Sequence, residues 1–273
     1  MTPDIGYISL SGKDNPRIKE LVRLHKERGN KVFIEGCRLC EDALESGVAV
    51  DKLIFTEDRK ELVSSWYGLF ECLNDSCEYL LVSDQIFRKL SSTVNPQGVA
   101  MIVSEPEVYH QDKIDLPKDG SGKEIYMVAE AVQDPGNLGT MIRTADAFGF
   151  SAVILLPGTC DPYQDKVLRA SMGSVWHIPI IRCNDPEDLF VYFGKNGITT
   201  YAMHLKGEEL KEGNITLPAA YFIGNEGRGL SDETSSKCDK LLKIPMPGKA
   251  ESLNAAAAAS IMGYVFANLR ANG

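Results

Sequence analysis

No apolar stretch in this sequence approaches the length of a membrane span, which excludes a helical membrane protein. The first residues, Met1 to Gly12, lack the basic-then-apolar pattern of a secretory signal, so a cytoplasmic protein is expected. Cysteine is sparse: the 7 residues are odd in number and irregularly spaced, which argues against a disulfide framework. Cys37 and Cys40 make one C-x-x-C pair with no second pair at zinc spacing, so a structural role and no bound metal are expected. There is no G-x-G-x-x-G fingerprint and no P-loop, which removes the commonest dinucleotide and nucleotide sites. Positive charge is also in deficit. The net charge of -9 argues mildly against nucleic acid as a partner, although local distribution matters more than the total.

What is present is an ordinary globular composition, 44% hydrophobic and 25% charged. A length of 273 residues suffices for one large domain or two ordinary ones. Ser104 to Glu107 and Leu116 to Lys123 are polar and rich in breakers. They predict a linker over 106–123, with domains over 1–105 and 124–273. The first part mixes helical patterns (Pro16 to His25, Cys37 to Ser46, Glu61 to Leu73, Asp84 to Leu90) with strand patterns (Lys31 to Ile34, Val50 to Thr56, Tyr79 to Val82, Val99 to Val103). It reads as a small α/β sandwich. The second part alternates strand and helix. Strands are expected at Ile125 to Ala129, Ala152 to Leu156, Pro179 to Arg182, Thr199 to Met203, Ala219 to Ile223 and Lys240 to Ile244. Helices are expected at Leu138 to Phe148, around Lys166 to Ala170, Pro186 to Gly194, Asp232 to Lys237 and Leu253 to Leu269. Such alternation predicts a mostly parallel sheet with helices on both faces.

One segment is locally basic. Between residues 13 and 31 stand Lys13, Arg17, Lys19, Arg23, Lys26, Arg28 and Lys31, against Asp14, Glu20 and Glu27. It is either an ordinary solvated helix face or a phosphate-contacting patch.

Three turns in the second part combine glycine or proline with polar groups, each after an apolar run. In Asp134-Pro135-Gly136-Asn137, Asn137 occupies a plausible helix N-cap, and Arg143 follows in the second turn of a helix buried by Met141, Ile142, Ala145 and Phe148. By themselves these are a turn and a surface arginine. In Gly224 to Ser231, glycines crowd around Glu226 and Arg228 and allow close backbone approach to a ligand. The bland alternative is a surface Glu226–Arg228 pair. In Ile244 to Gly248, Pro245 and Pro247 force an irregular turn. Ser252 is then an N-cap candidate ahead of Leu253, Asn254 and the alanines 255–259, which favour helix and leave a smooth face for close packing.

Taken in order, the three turns and the intervening Lys166 to Gly173 resemble the SpoU (TrmH-like) family of RNA ribose methyltransferases across about residues 124–270. Asn15-Pro16-Arg17 and Phe33 to Gly36 are similar to the substrate-binding domain that often precedes it. The resemblance implies a knotted α/β fold, in which the C-terminal segment forms a trefoil knot, and a homodimer through the C-terminal domain. It implies S-adenosylmethionine as cofactor and RNA, ribosomal RNA above all, as substrate. By position, Asn137, Arg143, Glu226, Ser252 and Asn254 are the implied catalytic and orienting groups. Ala202, Met203, His204, Gly224, Asn225, Gly227, Ile244, Met246, Ser252 and Leu253 are the implied cofactor contacts. Arg17, Lys19, Arg23, Lys31 and Arg143 are the implied RNA contacts. Arginine is too basic to accept a proton in its ordinary state, so Arg143 suits phosphate binding and alkoxide stabilisation; a base role needs its charge suppressed. Two rivals stay open: the same chemistry on transfer RNA, and a noncatalytic RNA-binding or ribosome-assembly protein of the same fold.

Overall fold

The computed structural model describes residues 5–12, 14–26, 29–67, 69–70, 73, 76–106 and 115–272. Lys13, Glu27 and Arg28 of the basic segment, residues 107–114 of the expected linker and part of the expected Glu61 to Leu73 helix lie outside them. Two compact units result. The first runs through Pro106 and includes Tyr163–Leu168; the second holds the remainder.

In the first unit, β1 (Ile8–Leu10), β2 (Lys31–Glu35), β3 (Val50–Phe55), β4 (Glu78–Val82) and β5 (Val99–Ser104) form a five-stranded sheet in the order β1-β4-β3-β5-β2. Pairing is parallel at β1–β4 and β3–β4 and antiparallel at β3–β5 and β2–β5. Helices α1 (Pro16–Lys26), α2 (Cys37–Glu45), α3 (Lys60–Trp66) and α4 (Asp84–Leu90) accompany it. One face of the sheet is sealed by Ile18, Leu21, Phe87 and Leu90 against Ile54, Leu80 and Ile102. The third helix stops at Trp66, earlier than the pattern suggests.

The second unit carries β6 (Ile125–Ala129), α5 (Pro135–Ala147), β7 (Ala152–Leu155), β8 (Ile180–Arg182), α7 (Pro186–Lys195), β9 (Thr199–Glu209), β10 (Ala219–Ile223), α8 (Asp232–Lys237), β11 (Lys240–Lys243) and α9 (Ala255–Asn272). Helix α6 (Asp165–Ser171) lies between β7 and β8 in the chain. The six-stranded sheet has the order β11-β9-β10-β6-β7-β8, with parallel pairing between neighbours. The central strands β6, β7 and β10 are buried at every position, as expected when helices cover both faces. Leu116 and Pro117 belong to this packing: Leu116 is buried in the core and the Pro117 carbonyl accepts from Tyr126 Oη at 2.8 Å.

Helix α9 returns across the sheet to lie on α5. Gly263 makes the approach possible, because a Cβ there would come within 3.1–3.2 Å of Phe148, Thr144 and Tyr221. Thr144 and Ser260 hydroxyls bond at 2.9 Å, and Arg270 donates to the Phe148 and Gly149 carbonyls at the end of α5. The expected smooth alanine face is partly used here: Ala256 and Ala259 are buried. No helix among the described residues is long and apolar enough to cross a membrane.

Candidate active site

Strand β9 shapes one wall. It runs to Glu209, well past the expected end at Met203, because β11 pairs with it twice. Lys240 and Leu241 face Tyr201 and Ala202; Leu242 and Lys243 then face Glu208 and Glu209. Residues 203–207 lie between the two ladders. Met203, His204, Leu205 and Lys206 of this interval line a cavity of about 530 Å³. The remaining walls come from the loop after β10 (Ile223 to Leu230) and from the stretch between β11 and α9 (Ile244, Met246, Glu251, Ser252, Leu253). Lys243 at the end of β11, Ala255 and Ala258 of α9 and Asp232 of α8 complete them.

The loop after β10 is folded tightly on itself. Asn225 and Gly229 exchange backbone hydrogen bonds at 3.0 and 2.8 Å, and Asn225 Oδ1 accepts from the Gly227 and Arg228 amides. Gly224 has to be glycine here: a Cβ would overlap the backbone of Gly229 and Leu230.

Glu226 does not pair with Arg228. Its carboxylate accepts from the backbone amides of Gln133 (3.2 Å) and Asp134 (3.0 Å) and from Asn137 Nδ2 (3.0 Å). Partial burial pushes the carboxyl pKa up. The bonds from Asn137 and from the Glu226, Asp134 and Gln133 amides outweigh that push and hold it below the ordinary value. Asn137 in turn accepts from Asn254 Nδ2 at 2.9 Å. A chain of hydrogen bonds, Asn254 to Asn137 to Glu226, thus ties the three turns together.

Two caps differ from expectation. Asp134, one turn before Asn137, caps α5 by accepting the Asn137 amide at 3.0 Å, with Pro135 in the first turn. Asn137 is thereby freed to use its side chain across the site. Likewise Asn254, not Ser252, caps α9, its Oδ1 accepting from the Ala256 and Ala257 amides. Ser252 stays exposed on the cavity wall.

Of the expected cofactor contacts, Met203, His204, Gly224, Asn225, Gly227, Ile244, Met246, Ser252 and Leu253 line the cavity. Ala202 does not: strand alternation turns it into the core beside Tyr126 and Phe222. Among the expected catalytic groups, Glu226 and Ser252 line the cavity, while Asn137 and Asn254 reach it through the hydrogen-bond chain. Arg143 lies outside the lining. It is exposed, less than two full turns along α5 from Asn137 (roughly 9 Å along the axis), and has no partner among the described residues. The expected RNA contacts of the first unit are largely committed: Arg17 to Glu78 (3.7 Å), Lys19 to Asp14 (3.4 Å), and Lys31 to Asp51 and Ser104. Arg23 is exposed on α1.

Sequence reasoning missed Glu130. At the end of β6 its carboxylate accepts from the Ser231 amide (2.8 Å) and from the Ser231 and Thr234 hydroxyls. In the opposite direction, Asn225 Nδ2 donates to the Ala131 carbonyl at 2.9 Å. Ala131 has a left-handed φ of 52°. The two turns are therefore buckled at both ends. An acid four residues before Asp134-Pro135, at a strand end, was the available signal.

The walls suit a nucleoside-like ligand carrying both charge signs. Met203, Ile223, Ile244, Met246 and Leu253 offer apolar surface; Lys206, Arg228 and Lys243 offer cations; Asp232 and Glu251 offer carboxylates. No group of His, Cys, Asp or Glu among the described residues is arranged to hold a metal.

Comparison with known proteins identifies the family. Residues 124–264 match the model of the SpoU rRNA Methylase family, and residues 15–101 match that of the MRM3-like substrate binding domain. The chain is 37% identical to the Bacillus subtilis 23S rRNA (guanosine(2553)-2'-O)-methyltransferase RlmP, covering 92% of this chain and 95% of that protein. It is 31% identical to an uncharacterized Synechocystis tRNA/rRNA methyltransferase, over 97% and 94% of the two chains. Among solved structures, the AdoMet-bound rRNA methyltransferase from Sinorhizobium meliloti superposes with a TM-score of 0.78 at 31% identity, covering 96% of this chain and 98% of that one. The SpoU methyltransferase AviRb of Streptomyces viridochromogenes, in complex with AdoMet, gives 0.79 at 26% identity over 95% and 99%. The expected α/β fold with a parallel sheet and flanking helices, and the expected kinship, are thereby met, and the chain belongs to the SpoU family of S-adenosylmethionine-dependent RNA ribose 2′-O-methyltransferases.

Proposed function

We propose that this protein methylates a ribose 2′-hydroxyl of large-subunit ribosomal RNA in the cytoplasm, working as a homodimer. The observation that carries the reading is the Asn254–Asn137–Glu226 chain, which joins the three turns around one cavity. S-adenosylmethionine bound there would supply an electrophilic methyl group. The apolar wall from Ile223, Ile244, Met246 and Leu253 would hold its adenosine part. Lys206, Arg228 or Lys243 would face its carboxylate, and Asp232 or Glu251 its ammonium group.

The remaining chemistry falls to the protein. A ribose hydroxyl is almost never ionised near neutrality and must lose its proton as it attacks. Arg143 would hold the neighbouring phosphate and stabilise the developing alkoxide; its lack of a partner among the described residues leaves all its donors for that task. Asn137, fixed at both ends of its amide, would orient the ribose together with Glu226. Ser252 would position the hydroxyl.

The homodimer is supported by the outer stripe of α9. Ala257, Ile261 and Tyr264 are exposed at helical spacing, and Tyr264 rests edge-on against Phe148 beyond the end of α5. Thr140, Arg143 and Ala147 form the exposed stripe of α5 beside it. A second copy seated on these helices would cover apolar surface and set Arg143 at the subunit boundary. The reading includes the family's trefoil knot, with the segment between β11 and α9 as the threaded part.

The target is favoured by the 23S rRNA activity of the Bacillus subtilis relative and by the matched substrate-binding domain. Mapping ribose methylations in ribosomal RNA from cells with and without this protein tests it. Loss of one 2′-O-methyl group in large-subunit RNA is the expected result. Loss confined to transfer RNA overturns the target, and no loss in any RNA overturns the activity.

A further inference from the structure

Charge in the first unit is distributed unlike its sequence. On α1, Arg17 faces Glu78 and Lys19 faces Asp14. At the end of the unit where α4 finishes, the reverse holds. Arg88 and Lys89 lie in the last turn of α4, and Arg38 in the first turn of α2; all are exposed with no partner among the described residues.

After α4 in the chain runs the loop 91–98, which is tied down by side-chain hydrogen bonds of Ser91, Thr93 and Gln97. Glu35, at the end of β2, accepts from Ser91 Oγ (2.6 Å), Thr93 Oγ1 (2.9 Å) and the Ser92 amide (3.2 Å). Gln97 accepts the Cys37 amide on its side chain (2.8 Å) and Arg59 Nε on its carbonyl (2.7 Å). Gly98 has a φ of +75°, and a Cβ there would overlap Thr56 Oγ1. At the centre of this fixed loop, Val94 is 96% exposed. A lone exposed valine is ordinary, but this one stands on a hydrogen-bonded loop that follows directly on Arg88 and Lys89, so exposed cations and an apolar tip share one stretch of chain. The charge selects a polyanion, and the apolar tip selects one that offers flat apolar surface between its charges. RNA with an unpaired loop or bulge has both.

Resting on the reading of this protein as an RNA methyltransferase, we propose that the loop 91–98, with Arg38, Arg88 and Lys89, is the face that grips the RNA substrate. Phosphates meet the cations, and a base or ribose packs on Val94. Because the loop is already ordered, little conformational freedom is lost on binding. The α1 cations contribute less, since a phosphate arriving there first has to displace a carboxylate.

The test measures binding of the full chain to large-subunit ribosomal RNA purified from cells lacking the protein, across a series of salt concentrations. The variants are the triple Arg38→Gln/Arg88→Gln/Lys89→Gln, the single Val94→Asp, and the triple Arg17→Gln/Lys19→Gln/Arg23→Gln. The first triple should flatten the log–log salt slope by about 2, from roughly 0.7–0.9 for each phosphate no longer neutralised. Val94→Asp should weaken binding about tenfold, in the range for removing one base from its packing surface. The α1 triple should change affinity less than about threefold. S-adenosylmethionine affinity should be unchanged throughout, since none of these residues lines the cavity. Wild-type binding that the loop variants leave intact, or a larger loss in the α1 triple, overturns this face alone. Wild-type protein that does not retain the RNA overturns the target reading with it.

Discussion

Helix α1 and the loop cluster around Glu226 use charge in opposite ways. On α1 the cations are numerous and spent: Arg17 and Lys19 face Glu78 and Asp14 across exposed surface. Beside the cavity two carboxylates are spent instead, while Asp232 and Glu251 remain on its wall. Glu226 and Glu130 are saturated by backbone and hydroxyl donors, while Arg143 and Arg228 keep their guanidinium groups uncommitted among the described residues. Solvated ion pairs contribute little stability and cancel each other's field. Carboxylates bound to amides fix geometry and leave the cations for an anionic substrate. Density of charge along a chain is therefore a poor guide to where an anion binds; commitment of each charge is a better one.

The sharpest way to break this contrast is to remove an uncommitted cation. Arg143→Ala is expected to slow methyl transfer by roughly 10²–10⁴-fold with S-adenosylmethionine affinity nearly unchanged, checked by single-turnover kinetics beside calorimetry. Equal loss of both would make Arg143 a structural residue.

Next in size is a spent carboxylate. Glu226→Ala strands the Gln133 and Asp134 amides and one end of Asn137. A weakening of cofactor binding by about 10–100-fold is expected, the range for losing a charged hydrogen-bond acceptor. The same group sets a pH limit. Its folded pKa lies below its unfolded value. Its bonds therefore contribute stability above the ordinary glutamate range of about 4.3 and are lost only as pH falls through the lower folded value. Cofactor binding followed by calorimetry should hold to about pH 5 without a Glu226-dependent decline.

Glu130 gives a smaller effect. Glu130→Ala should raise the cofactor dissociation constant about tenfold by loosening Ser231 and the end of the loop, and Glu130→Gln should restore most of it, because an amide oxygen can still accept the Ser231 amide. Smallest of all, Arg17→Gln and Lys19→Gln should each shift unfolding free energy by less than about 1 kcal/mol, measured by urea titration.

Much of this arrangement is legible in the sequence, and the exceptions have physical causes. The central strands read correctly because burial on both faces makes each a continuous apolar run, as in Ile125–Ala129 and Ala219–Ile223. The length of β9 was hidden because residues past Met203 are held by a second pairing with β11, an interaction between distant segments that local pattern does not encode. The caps were misplaced by one turn at Asn137 and by two residues at Ser252. Asp, Asn and Ser are nearly equal cap formers, and the choice between neighbours is made by tertiary bonds. The pairing of Arg17 depends on Glu78, far along the chain on β4, so local pattern does not show that this cation is committed.

The most direct trial of the central claim is methyl transfer in vitro. Labelled S-adenosylmethionine, the purified protein and undermethylated large-subunit ribosomal RNA are combined, and the product is hydrolysed in alkali. A 2′-O-methyl group removes the hydroxyl that cleaves the chain, so the account predicts label in one alkali-resistant dinucleotide, appearing far more slowly with Arg143→Ala. Label recovered in mononucleotides, or cofactor bound without transfer to any RNA, would contradict it.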